Sequence, residues 1–195
     1  MLPATYEFIT TSLAVLFSAI AIKLADDFLD QDIDQSQYNF ATILGRGSML
    51  YAMLSLAFAT SLNAPISVSL FLSSYIIGMF RDLRQDFPSH LTGFQESLIV
   101  FLAGVFLLGC KMMFFTFFFV LSIQLLDDCI DDSKDKLSGY RNWAHRLGRT
   151  KCLLVFFLTL LSSWNLDETM FLSSCLGTCI FYSFTLYYQR ERSSW

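Results

Sequence analysis

The chain has 195 residues, of which 54% are hydrophobic, 16% aromatic and only 15% charged, and its mean hydropathy is +0.51. That balance excludes an ordinary soluble domain and indicates an integral membrane protein. The net charge of −4 says little in bulk, because the charges are bunched and leave uncharged helix-length runs at 8–22, 47–80, 97–110, 112–126, 152–166 and 169–189.

In chain order, segment 1–7 holds Glu7 and no basic residue, so it does not read as a cleavable signal peptide, and the first helix is expected to remain. The run 47–80 is too long for one crossing of a ~30 Å hydrocarbon core. Asn63-Ala64-Pro65 lies in its middle, and a Pro favours a helix start, so two helices joined as a hairpin are expected. The count becomes about seven transmembrane helices in one all-α bundle, a single domain over 1–195. No barrel-type alternation appears.

Threading seven helices puts Arg46, Arg81, Arg84, Lys134, Lys136, Arg141, Arg146, Arg149, Lys151, Arg190 and Arg192 on one side and only Lys111 on the other. The positive-inside rule makes the charged side cytoplasmic and the N-terminus external. The five cysteines, Cys110, Cys129, Cys152, Cys175 and Cys179, lack metal-type spacing and read as packing residues. His90 and His145 are isolated and read as solvated loop residues. Nothing points to nucleic acid.

An internal repeat organises the chain. DDFLDQDID (26–34) and DDCIDDSKD (127–135) share the spacing D-D-x-x-D-x-x-x-D at an offset of 101, and three further matches follow at offsets of 100 to 103: Tyr38 with Tyr140, Leu44-Gly45-Arg46 with Leu147-Gly148-Arg149, and 71–74 with 171–174. Four helices separate the motifs, so the pseudo-repeats, roughly 8–100 and 110–195, are parallel and both motifs emerge on one membrane side.

On a helix Asp27, Asp30 and Asp34 form one stripe, as do Asp128, Asp131 and Asp135. Stacked carboxylates at helix C-termini repel one another and oppose the macrodipole, so a cation is expected. Hard oxygen ligands suit Mg²⁺, with Asp26, Asp27, Asp30, Asp34, Asp127, Asp128, Asp131 and Asp135 as candidate ligands and a diphosphate completing the shell. Lys23, Lys134, Lys136, Arg141 and Arg146 are placed to neutralise phosphate charge.

The two motifs resemble those of the UbiA superfamily of intramembrane prenyltransferases, which close the cytoplasmic ends of the second and sixth of about nine helices. DDFLDQDID looks like its first motif, with Asp26 in an Asn position. DDSKDKLSGYRNWAHRLGR looks like the second motif and its downstream stretch at Asp131, Asp135, Gly139, Ala144, Arg146, Leu147 and Gly148. Segment 73–93 is similar to a third element at Tyr75 and Arg81. The family's first and last helices have no counterpart, and Gly45-Arg46-Gly47 stands where an Arg-Pro element is usual; a homo- or hetero-oligomeric partner would replace those helices.

The resemblance implies that Asp27, Asp30, Asp34, Asp128, Asp131 and Asp135 serve catalysis through Mg²⁺, that Lys23, Arg81, Lys134, Arg141 and Arg146 bind the diphosphate, and that a polyprenyl diphosphate ionises in a bundle surrounded by lipid. Prenyl transfer to a lipophilic acceptor is the expected reaction. A terpene cyclase needing no acceptor is the alternative within the superfamily, and a non-enzymatic divalent-cation binding or transport protein is the alternative outside it. Phe114, Phe115, Phe117, Phe118 and Phe119 encircle one helix, and none is assigned a catalytic role.

Overall fold

The computed structural model describes residues 2–29, 39–45, 47–79, 83–138 and 143–192, with backbone alone at 2–3, 131–138, 189 and 191–192. These residues form α1 (Leu2–Leu29), α2 (Phe40–Leu44), α3 (Gly47–Met79), α4 (Gly93–Leu108), α5 (Cys110–Ser138), α6 (Trp143–Leu147), α7 (Arg149–Leu166) and α8 (Glu168–Arg192). No strand occurs among the described residues, where Asp86 and Thr92 make one isolated antiparallel bridge. Four helical segments are long and apolar enough to cross a membrane: Ala4–Leu29, Gly47–Met79, Cys110–Ile130 and Glu168–Tyr188. The chain is thus an all-α protein with the character of an integral membrane protein.

α3 is two helical stretches meeting at Asn63, whose backbone is extended (φ −155°, ψ 91°). Pro65 follows in the first turn of the second stretch, where its missing N–H costs nothing because that turn's donors have no intrahelical partner. Asn63 has its own contacts, since its Nδ2 donates to Thr11 Oγ1 at 3.0 Å and its carbonyl accepts from Ser67 Oγ at 2.8 Å. The break expected from Asn-Ala-Pro therefore falls on the Asn.

The fold separates into two compact units, Met1–Val68 with Leu172–Trp195, and Ser69–Phe171. In the first, α1 packs against α8 through Gly177, where an added Cβ would lie 3.0 Å from Val15 Cβ and 3.1 Å from Leu16 N. Small residues let helices approach closely where lipid supplies no hydrophobic drive. Phe17 and Phe58 meet at 5.9 Å between ring centroids, and Ser55 Oγ donates to the Phe17 carbonyl at 2.8 Å.

In the second unit α5 packs along α7, and Leu125, Cys129, Ala144, Cys152 and Phe156 form a buried cluster that α6 helps to close. Ser73 and Thr116 hydroxyls pair at 3.0 Å. Lys111 and Asp167 join at 2.7 Å at the opposite end of α5, beside a cleft of about 230 Å³ lined by Leu108, Met112, Phe115 and Met170. From Lys111 to Asp128 the helix rises roughly 26 Å at ~1.5 Å per residue, so this cleft is remote from the acidic end.

Candidate functional site: two acidic helix ends

Each acidic motif begins on the last turns of a long helix, and its two leading aspartates differ in environment. Asp26 is exposed on α1 and Asp27 is 4% exposed. Adjacent helical residues point about 100° apart, so a D-D pair on a packed helix divides into an outward and an inward carboxylate. Asp27 Oδ2 accepts the N–H of Phe40 at 2.9 Å, and Oδ1 pairs with Lys23 Nζ at 2.8 Å one turn earlier.

The bond to Phe40 fixes the start of α2. Asn39 is its N-cap: Oδ1 accepts the Ala41 N–H at 2.8 Å, while Nδ2 donates to the Asp27 carbonyl at 3.0 Å. Asn and Asp suit this position because their short side chains reach donors that a helix start leaves unpaired. α2 ends at Gly45, whose φ of +52° is open to glycine at low cost and whose N–H donates to the Ala41 carbonyl at 2.8 Å. Ser48 Oγ then donates back to the Leu24 carbonyl at 3.0 Å.

The second motif repeats this construction. Asp128, 5% exposed, accepts the Trp143 N–H at 3.0 Å through Oδ2, and Gln124 Nε2 donates to its Oδ1 at 3.2 Å from one turn earlier. α6 ends at Gly148 (φ +84°), whose N–H donates to the Ala144 carbonyl at 2.9 Å. Cys152 Sγ lies 3.6 Å from the Leu125 carbonyl. Lys23 and Gln124, Leu24 and Leu125, Asp27 and Asp128, and Gly45 and Gly148 thus occupy matching places within their own units.

A carboxylate at 4–5% exposure needs partners, since burying an uncompensated charge costs several kcal/mol. Here the donors include a backbone N–H and a side chain from the preceding turn, Lys23 for Asp27 and Gln124 for Asp128. The geometry shared by the two units is the N–H contact to the start of a five-residue helix.

Of the other sequence-predicted site residues, Asp127 is half-buried on α5, and Asp131, Lys134 and Asp135 lie on its continuing helical backbone, which places Asp128, Asp131 and Asp135 along one stripe. Arg146 is exposed on α6 with its guanidinium 5.4 Å from the centre of the Trp143 ring, within cation–π range. Asp30, Asp34, Arg81 and Arg141 lie outside the described residues. Among the described residues no group of three or more His, Cys, Asp or Glu could hold a metal ion. Asp26 and Asp127, exposed and half-buried, each offer carboxylate oxygens, hard ligands of the kind that Mg²⁺ takes.

Tyr75 Oη donates to Glu96 Oε2 at 2.5 Å, and Ser89 Oγ also donates to that carboxylate. Glu96 sits in the first turn of α4, which Thr92 and Gln95 close with a reciprocal capping box. Tyr75 is a position of the sequence resemblance, whereas Glu96 and Ser89 belong to no motif. Asn39-Phe40-Ala41 matches Asn142-Trp143-Ala144 at an offset of 103, the sequence signal of the two short helices.

Searches of protein-family models, curated proteins and solved structures find no match to this chain.

Proposed function

We propose that the chain is a Mg²⁺-dependent intramembrane enzyme of the UbiA prenyltransferase type, acting on a polyprenyl diphosphate and transferring the prenyl group to a lipophilic acceptor. One observation carries the reading: an aspartate-rich helix end followed by a Gly-terminated short helix occurs twice, with its buried aspartate bonded alike. Two matched aspartate motifs interleaved with basic residues in the sequence suit metal-bound diphosphate better than a chance run of surface acids.

The topology of the proposal has seven spans. At ~1.5 Å per residue the 33 residues of α3 would measure about 50 Å, well beyond a ~30 Å core; division at Asn63 gives two crossings, and α4 and α7 complete the count. The N-terminus is then external, and both acidic motifs and most Lys and Arg residues are cytoplasmic.

In this reading Asp26, Asp30 and Asp34 would hold Mg²⁺ at the first motif and Asp127, Asp131 and Asp135 at the second, and the metal would neutralise diphosphate charge and assist its departure. Arg146, Lys134, Arg141 and Arg81 take phosphate oxygens through charge-assisted bonds. The allylic C–O bond breaks with its electron pair leaving on the diphosphate; the acceptor bonds to the allylic carbon and loses a proton. The apolar helices around the tail keep water from the cation.

Diphosphate release by the purified protein, offered farnesyl or geranylgeranyl diphosphate with and without a quinone-type or lipid acceptor, tests the proposal. Release that requires Mg²⁺ and acceptor, and that Asp30→Ala and Asp131→Ala abolish, supports transfer. Release without acceptor, yielding a cyclic hydrocarbon, makes the enzyme a cyclase. Full activity in either variant, or no release under any condition, overturns the two-motif mechanism.

A further inference from the structure

We infer that Asp27 and Asp128 are positioning residues rather than metal ligands: each holds the short helix after its motif, and Asp128 acts through Trp143 on Arg146. This deepens the reading above and rests on it for the role of Arg146. Three observations converge. Both carboxylates are almost wholly buried, whereas Asp26 is exposed and Asp127 half-buried. Both direct Oδ2 at the N–H of the first residue of a short helix, at 2.9 and 3.0 Å, across 13 and 15 residues of chain. Both engage Oδ1 with a donor one turn back, Lys23 or Gln124.

A bound Mg²⁺ keeps several waters and near-octahedral geometry. An aspartate with both oxygens committed to protein donors in a buried setting suits that shell poorly, while exposed or half-buried neighbours on the same helix suit it well. Oδ1 takes Lys23 in the first unit and Gln124 in the second, while the bond from Oδ2 to a backbone N–H is the same in both. A shared latch explains that invariance; a shared ligand role does not require it.

The second unit shows what the latch serves. Asp128 fixes the Trp143 N–H at 3.0 Å, and the Trp143 ring lies under the Arg146 guanidinium at 5.4 Å. Ala144, between them, is 3% exposed and packed in the cluster of Leu125, Cys129, Cys152 and Phe156. One face of α6 is thus anchored in the core while Arg146 is presented on the exposed side.

The test uses the full chain in detergent with Asp27→Asn, Asp27→Ala, Asp128→Asn and Asp128→Ala. Asn keeps an acceptor for the amide and removes the charge a metal would need; Ala removes both. Hydrogen exchange is read over 40–44 and 143–147, alongside the Mg²⁺ concentration for half-maximal diphosphate release and the KM for prenyl diphosphate. A positioning role gives wild-type exchange protection and Mg²⁺ half-saturation in the Asn variants, and lost protection in the Ala variants. Asp128→Ala additionally raises KM roughly tenfold, the scale of one charge-assisted contact. Weakened Mg²⁺ dependence in Asp128→Asn as severe as in Asp128→Ala, with α6 protected in both, makes Asp128 a ligand and overturns the inference. If the wild type releases no diphosphate, the functional reading fails and the exchange data decide the latch alone: loss in Ala with retention in Asn upholds it, and equal protection in all four refutes it.

Discussion

Lys111 Nζ lies 2.7 Å from Asp167 Oδ2, joining the start of α5 to the turn between α7 and α8 across 56 residues of sequence. Burial pushes the Asp167 carboxyl up, but the Lys111 hydrogen bond, the Met170 N–H, the Thr169 hydroxyl and the Lys111 charge outweigh burial and hold it below its ordinary 3.8. A depressed folded-state pKa stabilises above the unfolded value and loses that contribution as pH falls through the folded one. Because the Lys111 side chain is 64% exposed, solvent screening limits the pair to about 0–1 kcal/mol. Melting temperatures of wild type and Asp167→Asn in detergent are expected to differ by a constant amount above about pH 5 and to converge below the ordinary carboxyl range. A gap that widens on acidification would contradict the sign.

Gly177 and Gly104 make a controlled comparison of close approach. A Cβ on Gly177 would run into the Ser12 carbonyl oxygen, part of the α1 backbone, whereas a Cβ on Gly104 would meet the Met113 Sδ and Cε at 2.6 and 2.7 Å, the far end of a flexible side chain. Backbone cannot yield without shifting a helix, while a thioether can change rotamer. Gly177→Ala is expected to cost about 1–3 kcal/mol, seen as a clear fall in melting temperature, and Gly104→Ala distinctly less. Equal losses would mean that α1 and α8 separate as easily as Met113 moves.

The break at Asn63 makes a topological prediction. In a background free of the native cysteines, an impermeant maleimide applied to intact right-side-out cells should label Asn63→Cys, Lys111→Cys and Asp167→Cys, and should label Arg84→Cys and Thr150→Cys only after permeabilisation. Labelling of 63 and 84 from the same side would leave α3 as one crossing and remove the seven-span reading.

Much of this was legible in the sequence for a physical reason: apolar runs between bunched charges report helices that meet lipid, and Asn-Ala-Pro reports a break. The matching surroundings of Asp27 and Asp128 were legible as a shared aspartate spacing at an offset of 101. Which carboxylate of each D-D pair is buried was not, since successive residues differ by about 100° on a helix and only packing decides which points inward. α2 and α6 escaped notice because five residues are too few for a hydrophobic period, and because their register is shifted by two relative to the motifs, with Asp27 and Asp128 offset by 101 and Phe40 and Trp143 by 103. α5 also continues as helix to Ser138, through charged residues that a hydropathy run ending at 126 does not include.

Ser48 and Cys152 close the two repeats in corresponding ways, one through a hydroxyl 3.0 Å from the Leu24 carbonyl and the other through a thiol 3.6 Å from that of Leu125. A thiol is a weak donor and behaves largely as a small hydrophobe, whereas a hydroxyl is a full donor that must be paired when buried. Cys152 is fully buried in an apolar cluster, so Cys152→Ser trades some apolar contact for a better bond to the same carbonyl, and a change within about 1 kcal/mol is expected. Cys152→Val offers no donor and adds bulk beside Leu125 and Phe156, and should cost about 1–3 kcal/mol through overpacking. Chemical denaturation of both variants separates the cases: if Ser is the more damaging substitution, Cys152 acts as packing alone and the contact to Leu125 contributes nothing.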